Sequence, residues 1–203
     1  QIKVRVMCIF SEMVNQVIKY STMMLTESLP KEMAFHNYYH TKEVATAVIE
    51  IGKEAGLTSN EIETVLIAAW FHDTGYSIRY VNHENASQEI ARIFLTIINY
   101  AMDKIEKVMG CIEATKYPQR PNNILEEVLC DADFYHLSSA DYHTSEKTLR
   151  EEWTVYLKKK YTDREWHQEN YNFLISHSYF TTYAKDKLQK QKERNIDLLK
   201  SAL

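Results

Sequence analysis

The chain has 203 residues, of which 45% are hydrophobic and 26% charged, with only four glycines and three prolines. These proportions are typical of a globular domain and exclude disordered, collagenous and coiled-coil proteins. The formal net charge is −4 and no segment carries the basic excess that a phosphate-backbone binder needs, so nucleic acid is not an expected partner.

Scarce glycine and proline, together with apolar side chains repeated every 3.6 residues, predict an all-α fold without strands. The predicted helices cover residues 12–27, 41–55, 59–73, 83–98, 103–116, 124–137, 145–161 and 163–184, followed by a charged helix that ends at 200. In the fourth helix one apolar face is expected from Ile90, Ile93, Phe94, Ile97 and Ile98.

No linker, repeat or low-complexity tract separates these helices. We therefore predict a single domain over residues 1–203, with a motif core at about 30–140 and a C-terminal helical extension at about 141–203. The oligomeric state has no signature in the sequence.

The apolar stretches are shorter than the ~20 residues that a membrane span requires, so no membrane contact is expected. The first ten residues lack the pattern of a secretory signal. Cys8, Cys111 and Cys130 are odd in number and show no Cys-x-x-Cys spacing, which indicates reduced thiols with core roles. The predicted compartment is the cytoplasm.

Histidine and acidic residues gather at the ends of the predicted helices. They are His36, His40, His72, Asp73, His83, Glu84, Asp131 and Asp133. Imidazole nitrogen and carboxylate oxygen together suit divalent ions such as Mn, Fe, Co, Ni or Zn, with Mg at oxygen-rich sites. Because separate helices of a bundle can aim such ligands at one point, the sequence predicts a metal site.

The pair His72-Asp73 is the sharpest part of this pattern. An apolar helix delivers both side chains into a turn that contains Gly75, where burial of polar groups without partners would be costly. This favours metal ligation over a core histidine. Asp131 lies in the largely apolar run 128–134, where a carboxylate likewise needs a cation or hydrogen-bond donors. The alternative is an aspartate on the helix surface, and this alternative has more weight for Asp133.

Five ordered motifs extend this pattern. They read FHNYYHT at 35–41, FHDTGY at 71–76, NHENAS at 82–87, IEATK at 112–116 and LCDAD at 129–133. The set resembles the HD-domain metal-dependent phosphohydrolases. Residues 173–181 also resemble, less specifically, the predicted-phosphohydrolase branch of that superfamily.

The resemblance implies that His40, His72, Asp73 and Asp131 bind one divalent ion with positions left for water and a phosphate oxygen. Such an ion lowers the pKa of its water, so that hydroxide can attack phosphorus at neutral pH. The implied activity is hydrolysis of a phosphomonoester or phosphodiester in a small phosphorylated metabolite, which we expect to be a nucleotide.

Two further residues are candidates for catalysis beside Asp73. Glu84 could act as a general acid or base near the metal water, and the alternative is a carboxylate that caps a helix N-terminus. Lys116 could hold phosphate as a point charge, and the alternative is an ordinary solvated lysine.

The sequence also departs from parts of the family. Members that cleave the guanosine tetraphosphate alarmone carry a Glu-Asp pair where Gly75-Tyr76 stand here, so that substrate is not expected. Members with two ions have a histidine where Ala114 stands, so one ion is expected, with His36 and His83 as candidate ligands of a weaker second site.

A second hypothesis is a non-catalytic HD domain that binds metal or nucleotide as a sensor or interaction module, and a third is a plain helical scaffold. The complete set of four implied ligands favours the enzyme. The remaining histidines after 130 fit no ligand spacing, and His177 is expected to be a hydrogen-bonded core residue.

Overall fold

The computed structural model describes residues 11–201, and every regular element within that range is helical. The helices are α1 Glu12–Met23, α2 Tyr38–Glu54, α3 Ser59–Phe71, α4 His83–Ile97, α5 Met102–Ala114, α6 Ile124–Asp133, α7 Tyr142–Tyr156, α8 Asp163–Ser176 and α9 Gln189–Ser201. The prediction of an all-α fold is confirmed. Cys8 lies outside the described residues, and Cys111 and Cys130 are buried free thiols.

Side-chain caps explain where several helices begin. Asn37 accepts a hydrogen bond from the backbone of Tyr39 at the start of α2, and Thr58 and Glu61 form a reciprocal capping box at the start of α3. Short 3₁₀ turns, Thr74–Ser77 and Tyr135–Ser138, follow α3 and α6. The chain therefore turns sharply at the ends of the two helices that carry the predicted site.

Helix α3 is the centre of the main hydrophobic core. It packs against α1, α2, α5 and α6, and each of its residues from Thr64 to Phe71 is at most 6% exposed. Because this helix is buried on all sides, the residues that follow its end emerge inside the protein. His72 and Asp73 are those residues.

Helix α4 differs from the prediction in the face that it buries. Its fully buried apolar residues are Ala86, Ala91 and Leu95, whereas Ile93 is 64% and Ile97 70% exposed. The five apolar positions expected on one face cover too wide an arc for a helix that contacts the core along a narrow stripe. The prediction was wrong for these two isoleucines.

The C-terminal third forms a smaller cluster that contains Leu137, Tyr142, Leu174 and Leu199. The helix predicted at 163–184 is interrupted, because α8 ends at Ser176 and His177 has an extended backbone. Residues 177–181 form an irregular segment, which we call the strap, and the chain then continues through the π-helical turn Ala184–Leu188 into α9. Within residues 11–201, no helix combines the length and apolar character needed to cross a membrane.

Candidate metal centre

Three helix ends meet at the candidate site. His40 lies in the first turn of α2, His72 follows the last residue of α3, and Asp133 is the last residue of α6. Both imidazoles are buried, and the Asp133 side chain is 17% exposed. The caps and turns described above therefore bring polar side chains from three distant parts of the sequence to one point.

The ligand atoms of His40, His72 and Asp133 all lie within 4.8 Å of one another, and they are the one such set found in the described part of the chain. Asp133 Oδ1 is 3.2 Å from His40 Nε2 and 3.5 Å from His72 Nε2. Two ligands bound about 2.1 Å from one ion, at angles of about 90–110°, would lie about 3.0–3.4 Å apart. The observed spacing fits a single divalent ion.

The hydrogen bonds of His72 test this fit. Its Nδ1 lies 2.7 Å from the carbonyl oxygen of Ala69 and can donate to it, which directs the lone pair of Nε2 toward the cluster. That Nε2 and Oδ2 of Asp73 are both buried without a hydrogen-bond partner. Unpaired buried polar atoms are costly, so the nitrogen and oxygen atoms present here suit a bound cation.

The charges in the cluster agree with this interpretation. Burial lowers the pKa of His72, but the carboxylates of Asp73 and Asp133 more than offset that effect and raise it to about 9. Burial would raise the pKa of Asp133, yet its contacts with His40 and His72 hold it well below the usual range. The two carboxylates thus create a negative environment that attracts a proton or a metal ion.

Asp73 lies beside this set of three. Its Oδ2 is 3.5 Å from His40 Nε2 and 3.3 Å from His72 Nε2, but it is not among the atoms that lie within 4.8 Å of one another. Its Oδ1 is 3.3 Å from His83 Nε2. Asp73 therefore connects the three-residue cluster to the histidine that was a candidate for a second site.

His36 also approaches this side of the site. Its ring stacks on Tyr76 at 4.6 Å between centroids, and Tyr76 stacks on His83 at 3.7 Å. His36 Nδ1 contacts the buried carboxylate of Glu152. The structure thus places both candidate second-site histidines in one aromatic stack on the Asp73 side.

The turn after His72 needs glycine. A Cβ atom on Gly75 would lie 2.0 Å from the carbonyl oxygen of His83. Ser87 Oγ accepts from the Gly75 backbone at 2.8 Å and donates to the carbonyl oxygen of His72 at 2.6 Å. This close approach attaches the start of α4 to the end of α3 and holds His72, His83 and Glu84 near one another.

Asp131 has a different role from the predicted one. It is fully buried, and its carboxylate accepts hydrogen bonds from the backbone of Phe180 and from both the backbone and the hydroxyl of Thr181, at 2.7–2.8 Å. Residues two apart on a helix point about 200° apart, so Asp131 faces the strap while Asp133 faces the histidines. The set of residues that could hold an ion therefore contains Asp133 in place of the predicted Asp131.

The two other candidate residues, Glu84 and Lys116, differ in their access to the cavity that adjoins the cluster. Glu84 lines the cavity beside the cluster, with Oε2 3.7 Å from His83 Nδ1, and α4 begins after Asn82 without a side-chain cap. Lys116 does not line that cavity, because its ammonium group binds both carboxylate oxygens of Glu113, at 2.7 and 2.6 Å. The structure therefore offers no support for Lys116 as a phosphate ligand.

Glu152 is an important residue that the sequence analysis missed. Its side chain is fully buried and accepts hydrogen bonds from the backbone of Phe35 and His36 and from the hydroxyl of Tyr80. Although burial raises the pKa of Glu152, its bonds with His36 lower it below the ordinary value. In the sequence Glu152 follows Glu151 in a charged helix, so no local pattern distinguishes it from a surface residue.

A cavity of about 450 Å³ adjoins the cluster. His72, Asp73 and Asp133 line one part of it, and residues from α7 and α8, including Glu146 and Trp166, line another. Helices that lie outside the predicted motif core thus supply part of its wall.

The sequence profile of the HD domain matches residues 37–138, about half of the chain, and this range contains all three residues of the cluster. A crystal structure of a protein from Lactobacillus plantarum has a TM-score of 0.68 at 16% identity and covers 95% of this chain and 98% of that one. At that identity the likeness shows the fold alone. Among curated proteins, none matches the chain.

Proposed function

Because this chain belongs to the HD domain family, we propose that it is a metal-dependent phosphohydrolase. Its proposed substrate is a phosphomonoester or phosphodiester of a nucleotide or another small phosphorylated metabolite. The observation that carries the proposal is the cluster of His40, His72 and Asp133, whose ligand atoms face one point beside a cavity.

The side chains of this site have separate roles in the proposal. His40, His72 and Asp133 hold the ion, and Asp73, whose buried Oδ2 has no hydrogen-bond partner, is a further proposed ligand. A divalent ion supplies Lewis acidity to a phosphoryl oxygen and lowers the pKa of a water molecule. The ion is one of Mn, Fe, Co, Ni, Mg or Zn, all of which accept this mixture of nitrogen and oxygen.

The proposed substrate is small because of the size and charge of the cavity. A volume of about 450 Å³ is in the range of small-molecule sites. Lys159 is the one lysine or arginine among the lining residues that the structure describes. A nucleic acid needs several cations along its backbone, so neither nucleic acid nor a membrane surface is part of the proposal.

Metal analysis and a substrate screen test this function together. The purified protein should contain about one divalent ion per chain, and His40→Ala should lose it, whereas His143→Ala changes an exposed histidine away from the cluster and should keep it. Nucleotides and simple phosphoesters should be hydrolysed with at least one ion of the series. Bound metal without any hydrolysis would support the sensor hypothesis, and absence of metal binding would overturn both.

Glu84 is the proposed residue that exchanges a proton near the phosphate. Glu84→Gln should lower turnover by ~10²–10⁴ with little change in stability, because general acid or base catalysis contributes that much. If the side chain only stabilises the start of α4, the variant would instead lose roughly 1 kcal/mol of stability and keep its rate. Glu89→Gln on the same helix, where Glu89 is 70% exposed, is the matched control.

A further inference from the structure

The part of the cavity away from the metal cluster is walled by aromatic side chains of the C-terminal third. They are Tyr142, Trp153, Tyr161, Trp166 and Phe173. The rings of Trp153 and Tyr161 contact Trp166 at 5.6 and 5.3 Å between centroids. Such surfaces favour a flat organic group over water, because stacked rings bury a large apolar area.

Glu146 on α7 stands in this aromatic wall. Its Oε2 is buried and makes no hydrogen bond, although the indole N–H of Trp166 approaches it and the charges of His167, His143 and Arg150 favour its ionised form. Burial raises the pKa of its carboxyl group. A carboxylate in an apolar wall is costly unless a donor reaches it, so an N–H group from a ligand would remove this cost.

A second polar atom close to Glu146 is also unsatisfied. Trp166 is 3% exposed, and its indole Nε1 has no hydrogen-bond partner. Asn170 in the same wall differs, because its amide donates to the carbonyl oxygen of Trp166 at 2.8 Å and accepts from the Tyr142 hydroxyl at 2.7 Å. The wall thus holds an acceptor on Glu146 and a donor on Trp166 that face each other between aromatic rings, neither of them within hydrogen-bond distance of a partner.

We propose that this aromatic wall binds the base of a nucleotide and that Glu146 determines specificity by accepting a hydrogen bond from an N–H group of that base. The edge of a nucleobase carries N–H donors and ring or carbonyl acceptors side by side, and its faces stack on aromatic rings. The inference rests on the proposed function, because it names the class of substrate that the same cavity would bind for hydrolysis. Base binding itself requires no turnover.

Nucleoside binding tests the inference without hydrolysis, by quenching of tryptophan fluorescence from Trp153 and Trp166. Adenosine, guanosine and cytidine are compared with purine riboside, which has the purine ring but no N–H donor on its base. At least one of the three should bind the wild-type protein about tenfold or more tightly than purine riboside, because a hydrogen bond to a charged group contributes that much.

Two variants and a control assign the effect to Glu146. Glu146→Gln should weaken this preference and Glu146→Ala should abolish it, whereas Glu151→Gln changes an exposed carboxylate on the same helix and should leave it unchanged. Circular dichroism and thermal unfolding check that each variant is folded. Equal binding of purine riboside and all three nucleosides, or an unchanged preference in Glu146→Ala, would overturn the inference.

The hydrolysis assay separates this inference from the proposed function. Base binding that depends on Glu146, without hydrolysis of any phosphoester, would support the base site and contradict the phosphohydrolase. Hydrolysis that is equally fast for ribose 5-phosphate and for nucleotides, with no effect of Glu146→Ala, would support the phosphohydrolase and overturn the base site. A preference for alkylammonium phosphates over nucleotides would overturn it as well.

Discussion

The ligand cluster and the C-terminal third contribute to the site in different ways. His40, His72 and Asp133, the residues that could hold an ion, lie within the range that matches the HD domain. Glu152 and Thr181 lie outside that range and contact residues more than 40 positions earlier, at the loop before α2 and on α6. The candidate ligands are therefore concentrated in one part of the chain, while groups that contact their helices and the loop before α2 come from another.

The largest expected effect concerns the ligand cluster. Asp133→Ala should remove the bound ion and lower turnover. The loss should exceed ~10–100-fold, which is the typical effect of changing a residue that only hydrogen-bonds to a metal ligand. The helices should remain folded, because this side chain is not part of the apolar core. Elemental analysis and initial rates measure the two effects. Retention of the ion in Asp133→Ala and its loss in Asp131→Ala would reverse the assignment on α6.

A large effect on stability is expected at Asp131 instead. Asp131→Ala leaves the donors of Phe180 and Thr181 without their acceptor and should cost roughly 2–4 kcal/mol in the free energy of unfolding. The folded protein should still bind one ion. Urea denaturation measures the loss, and Asp186→Ala, an exposed position shortly after the strap, should change stability by about 0.5 kcal/mol at most.

The contact between α7 and the loop before α2 should give a smaller effect that depends on pH. Glu152→Gln should cost roughly 1.5–3 kcal/mol at pH 7, because the carboxylate accepts several hydrogen bonds in a buried site. Glu151→Gln on the exposed face should cost little.

The direction of the pH effect follows from the pKa of Glu152. Burial raises this pKa, but the bonds with His36 lower it below the ordinary value of 4.5, so folding favours the ionised form. The stability that the ionised form contributes is present above pH 4.5 and is lost as the pH falls through the folded-state pKa. The difference between wild type and Glu152→Gln should therefore shrink below pH 4.5, and a difference that grows there would contradict the assignment.

The sequence predicts those parts of the structure that depend on residues close together in the chain, such as helix caps, glycines at helix ends and the spacing of apolar residues. The start of α3 was predicted at Ser59, where the helix begins, although the capping side chain is that of Thr58. The ends of α2 and α3 were placed within a few residues by glycine and apolar spacing. The pair His72-Asp73 is recognisable because an apolar helix leads directly into it. These signals depend on neighbours in the sequence, so no tertiary contact is needed to recognise them.

The errors concern choices that distant contacts decide. Asp131 and Asp133 both stand in an apolar run, and only the strap, almost 50 residues later, shows which of them faces away from the histidines. Ile93 and Ile97 continue an apolar pattern on α4, but the neighbouring helices leave that face in solvent. Glu152 is buried only because the loop before α2 lies against α7.

The smallest effect is expected at Lys116, and it separates a surface lysine from one that lines the cavity. The Lys116 ammonium is bound to Glu113 on the surface, and such exposed pairs contribute about 0–1 kcal/mol. Lys116→Ala should therefore leave KM and turnover almost unchanged. Lys159 lines the cavity with its ammonium 5.0 Å from the centre of the Trp153 ring, and Lys159→Ala should raise KM several-fold because the aromatic wall loses this cation–π contact. Steady-state kinetics with one confirmed substrate measure both variants. A rise in KM confined to Lys116→Ala would restore that lysine as the phosphate-binding group and would mean that substrate approaches from outside the aromatic cavity.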